Sequence, residues 1–184
     1  MRISDDRYSR DRLRLDLALR FMRHEARTHT IRKWTGLTDD RIRKLYRAYL
    51  TDMPGQVARH RGKSPGQACF FIRTSRVQQE AAVLASLFCL LGVMPCTVVV
   101  DAEHPLPGVA RGERLCQAFE AYMTLVPATQ ITFEHAVLLV NELARGEELQ
   151  LGDCTACGSL VVVDSLALRD IQCGRCAELQ DPRR

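Results

Sequence analysis

At 184 residues, 46% hydrophobic and only 6% aromatic, the chain can bury a sizeable core as one medium domain or two small ones. Its net charge of +4 is unevenly held: residues 1–63 carry 17 Lys or Arg against 8 Asp or Glu, net +9, and residues 64–184 are net −5. A basic third on an acidic remainder points to a polyanionic partner, DNA before membrane, and the charged opening residues with no apolar run behind them argue against a signal peptide, so a cytoplasmic setting is expected.

Residues 9–26 read as a helix, with Leu13, Leu17 and Phe21 four apart and basic residues between. A short helix follows over 29–35, and Gly36-Leu37 turns the chain. Thr38 is a good N-cap for a third helix running to about Leu50, with Asp39 and Asp40 in its favourable first turn. Its inward stripe is Ile42, Leu45, Tyr46 and Tyr49, and Pro54-Gly55 ends it. Residues 51–67 read as a polar, basic linker or surface loop.

Residues 81–100 carry no charge and would be long enough to span a bilayer. Gly92 and Pro95 divide the run, which fits a buried helix over about 76–91, a break, and an extended segment at 97–100. No membrane contact is therefore expected. Two more helices are expected over 109–124 and 133–144. Thr132 caps the second, Gly146 stops it, and Phe133, Val137, Val140 and Ala144 mark its buried face. Residues 149–151 and 160–163 read as short strands. The middle region, around Val83, Leu87, Phe88 and Leu91, carries enough apolar surface to suggest a protein partner.

The last third holds Cys154-Thr155-Ala156-Cys157 and Cys173-Gly174-Arg175-Cys176, a C-x2-C-x15-C-x2-C arrangement. Two residues between cysteines let a tight knuckle aim both sulfurs at one ion, and two knuckles complete a thiolate tetrahedron suited to Zn(II). Gly158 and Gly174 supply permissive backbone for such turns. A pair of disulfides or a redox Cys-x-x-Cys are the rival readings. The doubled pairing at ribbon spacing favours one structural zinc per chain, with no open position for substrate. Cys69, Cys89, Cys96 and Cys116 lack pair spacing and read as buried small hydrophobes.

Residues 30–47 have helix-turn-helix form: a short helix, a Gly turn, an apolar residue and a capped second helix. Arg41, Arg43, Lys44 and Arg47 lie off the apolar stripe, with Arg32 and Lys33 nearby. These six are the candidate DNA contacts, because Arg pairs bidentately with guanine edges or phosphates and Lys reaches phosphates. The plainer alternative pairs Asp39 with Arg43 and Asp40 with Lys44 on a solvated face. Trp34 reads as a core residue, and His104 and His135 as structural. No phosphate-cradling glycine loop, His-x-x-x-His or G-x-S-x-G occurs, so neither an enzyme nor a small-molecule substrate is expected.

Taken together, these residues resemble the flagellar master transcriptional activator subunit FlhC family, which includes activators of conjugative elements. The likeness covers roughly residues 10–178. It rests on the segment from Gly36-Leu37-Thr38 to Ile42-Arg43-Lys44-Leu45-Tyr46, on Phe70-Phe71 before the uncharged helix, and on the approach to Cys154 and Cys157. The resemblance implies a cytoplasmic bacterial activator with a zinc site at Cys154, Cys157, Cys173 and Cys176. It further implies a hetero-oligomer with a smaller helical FlhD-like partner, which binds promoter DNA of flagellar or conjugative-transfer operons and recruits RNA polymerase. The alternative is a zinc-ribbon interaction module that does not touch DNA.

The expected fold is mainly α. Residues 1–63 form a basic helical region with the helix-turn-helix-like unit, 64–148 a central helical, partner-binding region, and 149–184 a small four-cysteine zinc ribbon-like module.

Overall fold

The computed structural model describes residues 3–49, 60, 62–95, 107–167 and 171–180. The expected end of the third helix at Pro54-Gly55, the extended segment 97–100, Cys96 and His104 lie outside them. The fold is mainly helical, with seven α-helices and one two-stranded hairpin among the described residues. The chain divides into two units, the first comprising Met1–Ser64 with Leu106–Cys116 and the second Pro65–Pro105 with Gln117–Arg184.

In the first unit, α1 (Ile3–Arg23), α2 (Thr28–Thr35) and α3 (Asp39–Tyr49) pack pairwise on one another. Leu17, Ala18, Phe21 and Met22 of α1 are fully buried, as are Ile31 and Ile42, and Trp34 is 2% exposed. The rings of Phe21 and Trp34 stand 6.1 Å apart. Residues 109–116, the start of α5 (Val109–Leu125), close this core. A Cβ on Gly112 would stand 2.6 Å from Leu17 Cδ2, so any larger residue here would require the buried Leu17 side chain to shift. Leu13 and Tyr49 share the apolar stripes by spacing but are 54% and 58% exposed. Both lie beyond the buried stretches, 17–22 in α1 and 42–45 in α3. Tyr46 is half-buried, and its hydroxyl donates to the Ala26 carbonyl at 3.2 Å.

The turn between α2 and α3 is closed by local bonds. Gly36 takes the left-handed conformation (φ 69°) and its N–H donates to the Arg32 carbonyl. Thr35 Oγ1 donates to the Ile31 carbonyl at 2.7 Å and accepts the Leu37 N–H at 3.2 Å. Thr38 Oγ1 accepts the Arg41 N–H at 3.4 Å, the expected cap.

The second unit starts with a 3-10 turn, Ala68–Ile72, and α4 (Ser75–Leu90), which Thr74 caps by accepting the Val77 N–H. Val77, Glu80, Ala81, Leu84, Ala85 and Phe88 recur at helical spacing on the buried face of α4. Residues 117–125 of α5 and helix α6 (Phe133–Arg145) complete the helical layer. Thr132 and His135 form a reciprocal cap at the start of α6, with imidazole where a Glu or Gln side chain is usual. The His135 ring stacks on Phe70 at 4.2 Å. Burial, with the nearby Arg73 charge, holds its pKa below the ordinary value.

Strands β1 (Leu149–Asp153) and β2 (Leu160–Asp164) pair antiparallel, from Leu149 opposite Asp164 to Asp153 opposite Leu160. A last helix, α7 (Gly174–Gln180), follows. Helix α4 packs on β2 and on α7, and α6 packs on β1. Gln78 Nε2 of α4 also donates to the Val162 carbonyl at 3.0 Å. The cysteine hairpin therefore shares one unit with the central helices. Of the middle region's apolar residues, Phe88 is fully buried rather than available to a partner, whereas Val83 is 36% and Leu90 79% exposed. No described helix is long and apolar enough to cross a membrane.

One buried carboxylate ties this unit together. Glu80, 5% exposed, accepts from the Tyr122 hydroxyl (3.0 Å), Thr129 Oγ1 (3.1 Å), the Gln130 N–H (2.9 Å) and Arg76 Nε (3.0 Å). Burial alone would raise its pKa, but these donors together hold it below 4.5. Glu80→Ala strands several donors at once and is expected to destabilise the protein by about 3 kcal/mol in denaturant titrations at pH 7. Because the folded pKa is depressed, the carboxylate's contribution is complete above 4.5 and fades as pH falls toward the folded value. The gap between the mutant and native curves should narrow there, leaving the cost of the stranded donors.

Candidate metal centre and helix-turn-helix surface

The hairpin brings the two cysteine pairs together. Cys154 follows β1 and Cys157 closes the first knuckle, where the Gly158 N–H donates to the Cys154 carbonyl and Gly158 takes φ 68°. Thr155 reaches across to the second knuckle: its N–H and Oγ1 both donate to the Ile171 carbonyl, at 2.8 and 3.1 Å. Cys154, Val161 and Val163 form a small buried cluster packed by Ile171, Cys173 and Cys176.

The sulfurs of Cys154, Cys157, Cys173 and Cys176 all lie within 4.8 Å of one another. Those of Cys157 and Cys173 are 3.8 Å apart, close to the ~3.8 Å edge of a tetrahedron of thiolates bound at ~2.3 Å. All four are free thiols. The backbone also suits thiolate. The Cys173 N–H donates to Cys154 Sγ at 3.3 Å and the Cys176 N–H to Cys173 Sγ at 3.4 Å, and the Ser159 hydroxyl lies 3.1 Å from Cys157 Sγ.

The Cys173 N–H draws the Cys154 thiol down to about 6, and the Ser159 hydroxyl lowers Cys157. Cys176 moves the other way, to about 12, because Cys173 and Cys157 crowd it and a proton must separate like charges. A cluster that holds some thiolates and retains a proton elsewhere is suited to exchange that proton for a cation. The four cysteines could therefore hold one metal ion.

Gly174 serves this site differently from the expected permissive turn. A Cβ there would stand 2.7 Å from Ser75 Cβ and 3.1 Å from Ser75 Cα, so glycine lets α7 approach the start of α4. Gly174→Ala should push α7 outward with Cys173 and Cys176. The expected result is a loss of about 1–3 kcal/mol and faster metal release to a chelator, partly recovered by adding Ser75→Gly. Stopped-flow chelation would measure this. Among the cysteines without pair spacing, Cys116 is buried as expected, but Cys69 is exposed and Cys89 only half-buried. Burial of a lone cysteine depends on the packing around it, which spacing does not report. Beside the knuckles runs a groove of about 550 Å³, lined by Ala82 and Val83 of α4, by Leu160 and by Leu179 of α7.

In the first unit, Arg32, Lys33, Arg41, Arg43, Lys44 and Arg47 are all exposed. Their ion pairs differ from the i,i+4 pairs considered above. Arg43 pairs with Asp40 at 2.8 Å, one turn back. Asp39 lies 3.6 Å from Arg32, on α2. Arg41 donates to Asp11 of α1 at 3.3 Å. Lys33, Lys44 and Arg47 form no ion pair among the described residues. The basic face of α3 therefore points to solvent, with Ile42 and Leu45 buried on its opposite side. The link from α3 to Asp11 spans thirty residues, and no local pattern announces it.

Comparison with protein-family models and with curated proteins finds no match to this chain.

Proposed function

We propose that the protein is a DNA-binding subunit of a transcriptional activator, held together in its last third by one structural Zn(II). The observation that carries the reading is α3, which buries Ile42 and Leu45 while presenting Arg41, Arg43, Lys44 and Arg47 to solvent behind a capped helix-turn-helix. Four clustered thiolates favour zinc among available ions, because a borderline-soft d10 cation accepts tetrahedral sulfur without redox chemistry. By its likeness to FlhC, the chain would act with a FlhD-like helical partner at promoters of flagellar or conjugative-transfer operons and recruit RNA polymerase.

The test is binding to duplex DNA across a salt series, with and without the co-purifying partner. Each phosphate contact should contribute about −0.9 to the slope of log affinity against log salt, so a slope of about −4 to −5 is expected from the six basic residues. Affinity that does not respond to salt would reject the reading. A second reading, a zinc-ribbon interaction module, is favoured by the groove beside the knuckles. It requires a protein partner to bind equally well whether or not DNA is present.

A further inference from the structure

Two stretches distant in sequence meet at one cationic cavity in the first unit. Arg27, Thr28 and His29, at the start of α2, and His60, Lys63 and Ser64, beyond α3, line a space of about 630 Å³. No carboxylate is among the described residues that line it. Glu25 Oε2 lies 2.7 Å from His60 Nε2 and fixes that ring, but it is not part of the wall. His29 Nδ1 is 3.4 Å from the Arg32 guanidinium, which continues the positive charge along α2. His60 and Lys63 are exposed, and neither belongs to the basic face of α3.

We propose that this cavity binds a phosphate ester. Its donors identify the ligand class. A guanidinium and an ammonium supply charge, and two imidazoles and two hydroxyls supply further directional hydrogen bonds. A carboxylate has only two oxygens to offer so many donors, whereas a phosphate group presents more. The space exceeds a bare phosphate and admits the sugar to which it is esterified. That phosphate belongs either to the backbone of a duplex lying on α3 or to a soluble phosphate ester. The first source rests on the DNA reading above and the second does not. As a backbone site the cavity would position the duplex without reading sequence.

The test uses the full chain, native and with His60→Gln and Lys63→Gln together, both exposed positions whose replacement should leave the thermal midpoint unchanged. One arm titrates inorganic phosphate at constant ionic strength and follows the imidazole resonances of His29 and His60. The other measures affinity for several duplex sequences across a salt series. For a backbone phosphate, the double variant binds every duplex more weakly by the same factor, about three- to tenfold at 0.15 M salt. Its salt slope falls by about one unit or more. For a soluble ester, phosphate moves both imidazoles in the native chain and the remaining His29 resonance at least fivefold less in the variant, while duplex binding is unchanged. The proposal is overturned if phosphate moves the His29 resonance equally in both proteins, or not at all, and the duplex slopes coincide. A parallel variant of Arg43, Lys44 and Arg47 separates this failure from failure of the α3 reading. Loss of duplex binding there, with no effect at His60 and Lys63 in either arm, rejects the cavity alone. Retention of binding there, with loss at His60 and Lys63, rejects α3 alone.

Discussion

Stripping the bound metal with a strong chelator is expected to unfold residues 149–178 while leaving much of the helical signal in place. The hairpin has five residues in each strand, and an isolated two-stranded hairpin is marginal in water. Its own apolar cluster amounts to Cys154, Val161 and Val163 with Ile171 and two further cysteines against them. Half of that cluster is cysteine that could ligate, so a bound ion and the core would be one structure. Structural zinc contributes about 10–16 kcal/mol in small cysteine modules, more than the few apolar side chains here can replace. Loss of metal should therefore expose the amides of β1 and β2 to rapid hydrogen exchange and release α7 from α4. Elemental analysis should find one ion per chain. Cys154→Ser and Cys173→Ser should each lose it and show the same exchange pattern without chelator. Native protein free of metal, or serine variants that keep it, would remove the assignment.

Reversing the charge of Arg43, Lys44 and Arg47 together to Glu should weaken binding of the assembled complex to its duplex by at least about 10³-fold at 0.15 M salt. Three phosphate or base contacts vanish, and three repulsions take their place on a surface that must approach a polyanion. Stability should barely change, because all three side chains are exposed and, among the described residues, only Arg43 of the three has an acid partner, Asp40. Arg43→Ala alone tests the finer point. If its guanidinium leaves Asp40 to read a base edge, specificity relaxes at one position at a cost of about 1–3 kcal/mol. Electrophoretic mobility shifts on operator and scrambled duplexes distinguish the cases. Undiminished affinity in the triple variant would move the DNA contacts elsewhere, with residues 149–178 a poor substitute. They hold Arg169 and Arg175 against Asp153, Asp164, Asp170 and Glu178.

Sequence alone located the four-cysteine cluster, because two residues between cysteines already fix two sulfurs on one knuckle and only the meeting of the knuckles depends on the fold. It also fixed the helix ends at Gly36, Thr132 and Gly146, where one residue's backbone preference or one side chain decides the cap. The buried members of each stripe, such as Leu17, Phe21, Ile42 and Leu45, were legible from spacing. Spacing says which residues share a face but not how far the neighbouring element covers it, and so Leu13 and Tyr49 emerge in solvent. Helix α7 was missed because seven residues, opening on a glycine and including Cys176, carry little periodicity of their own. Only the tertiary structure decided what distant segments do to one another. Gly174 is needed because α4 passes close to it, and Glu80 is ionised because Tyr122, Thr129 and Gln130 converge on it. Arg41 is held by Asp11, and Arg27 and His29 share a cavity with His60 and Lys63. Each of these depends on distances between residues far apart in the chain. Local propensity is silent about such distances, because they are set by the packing of whole helices.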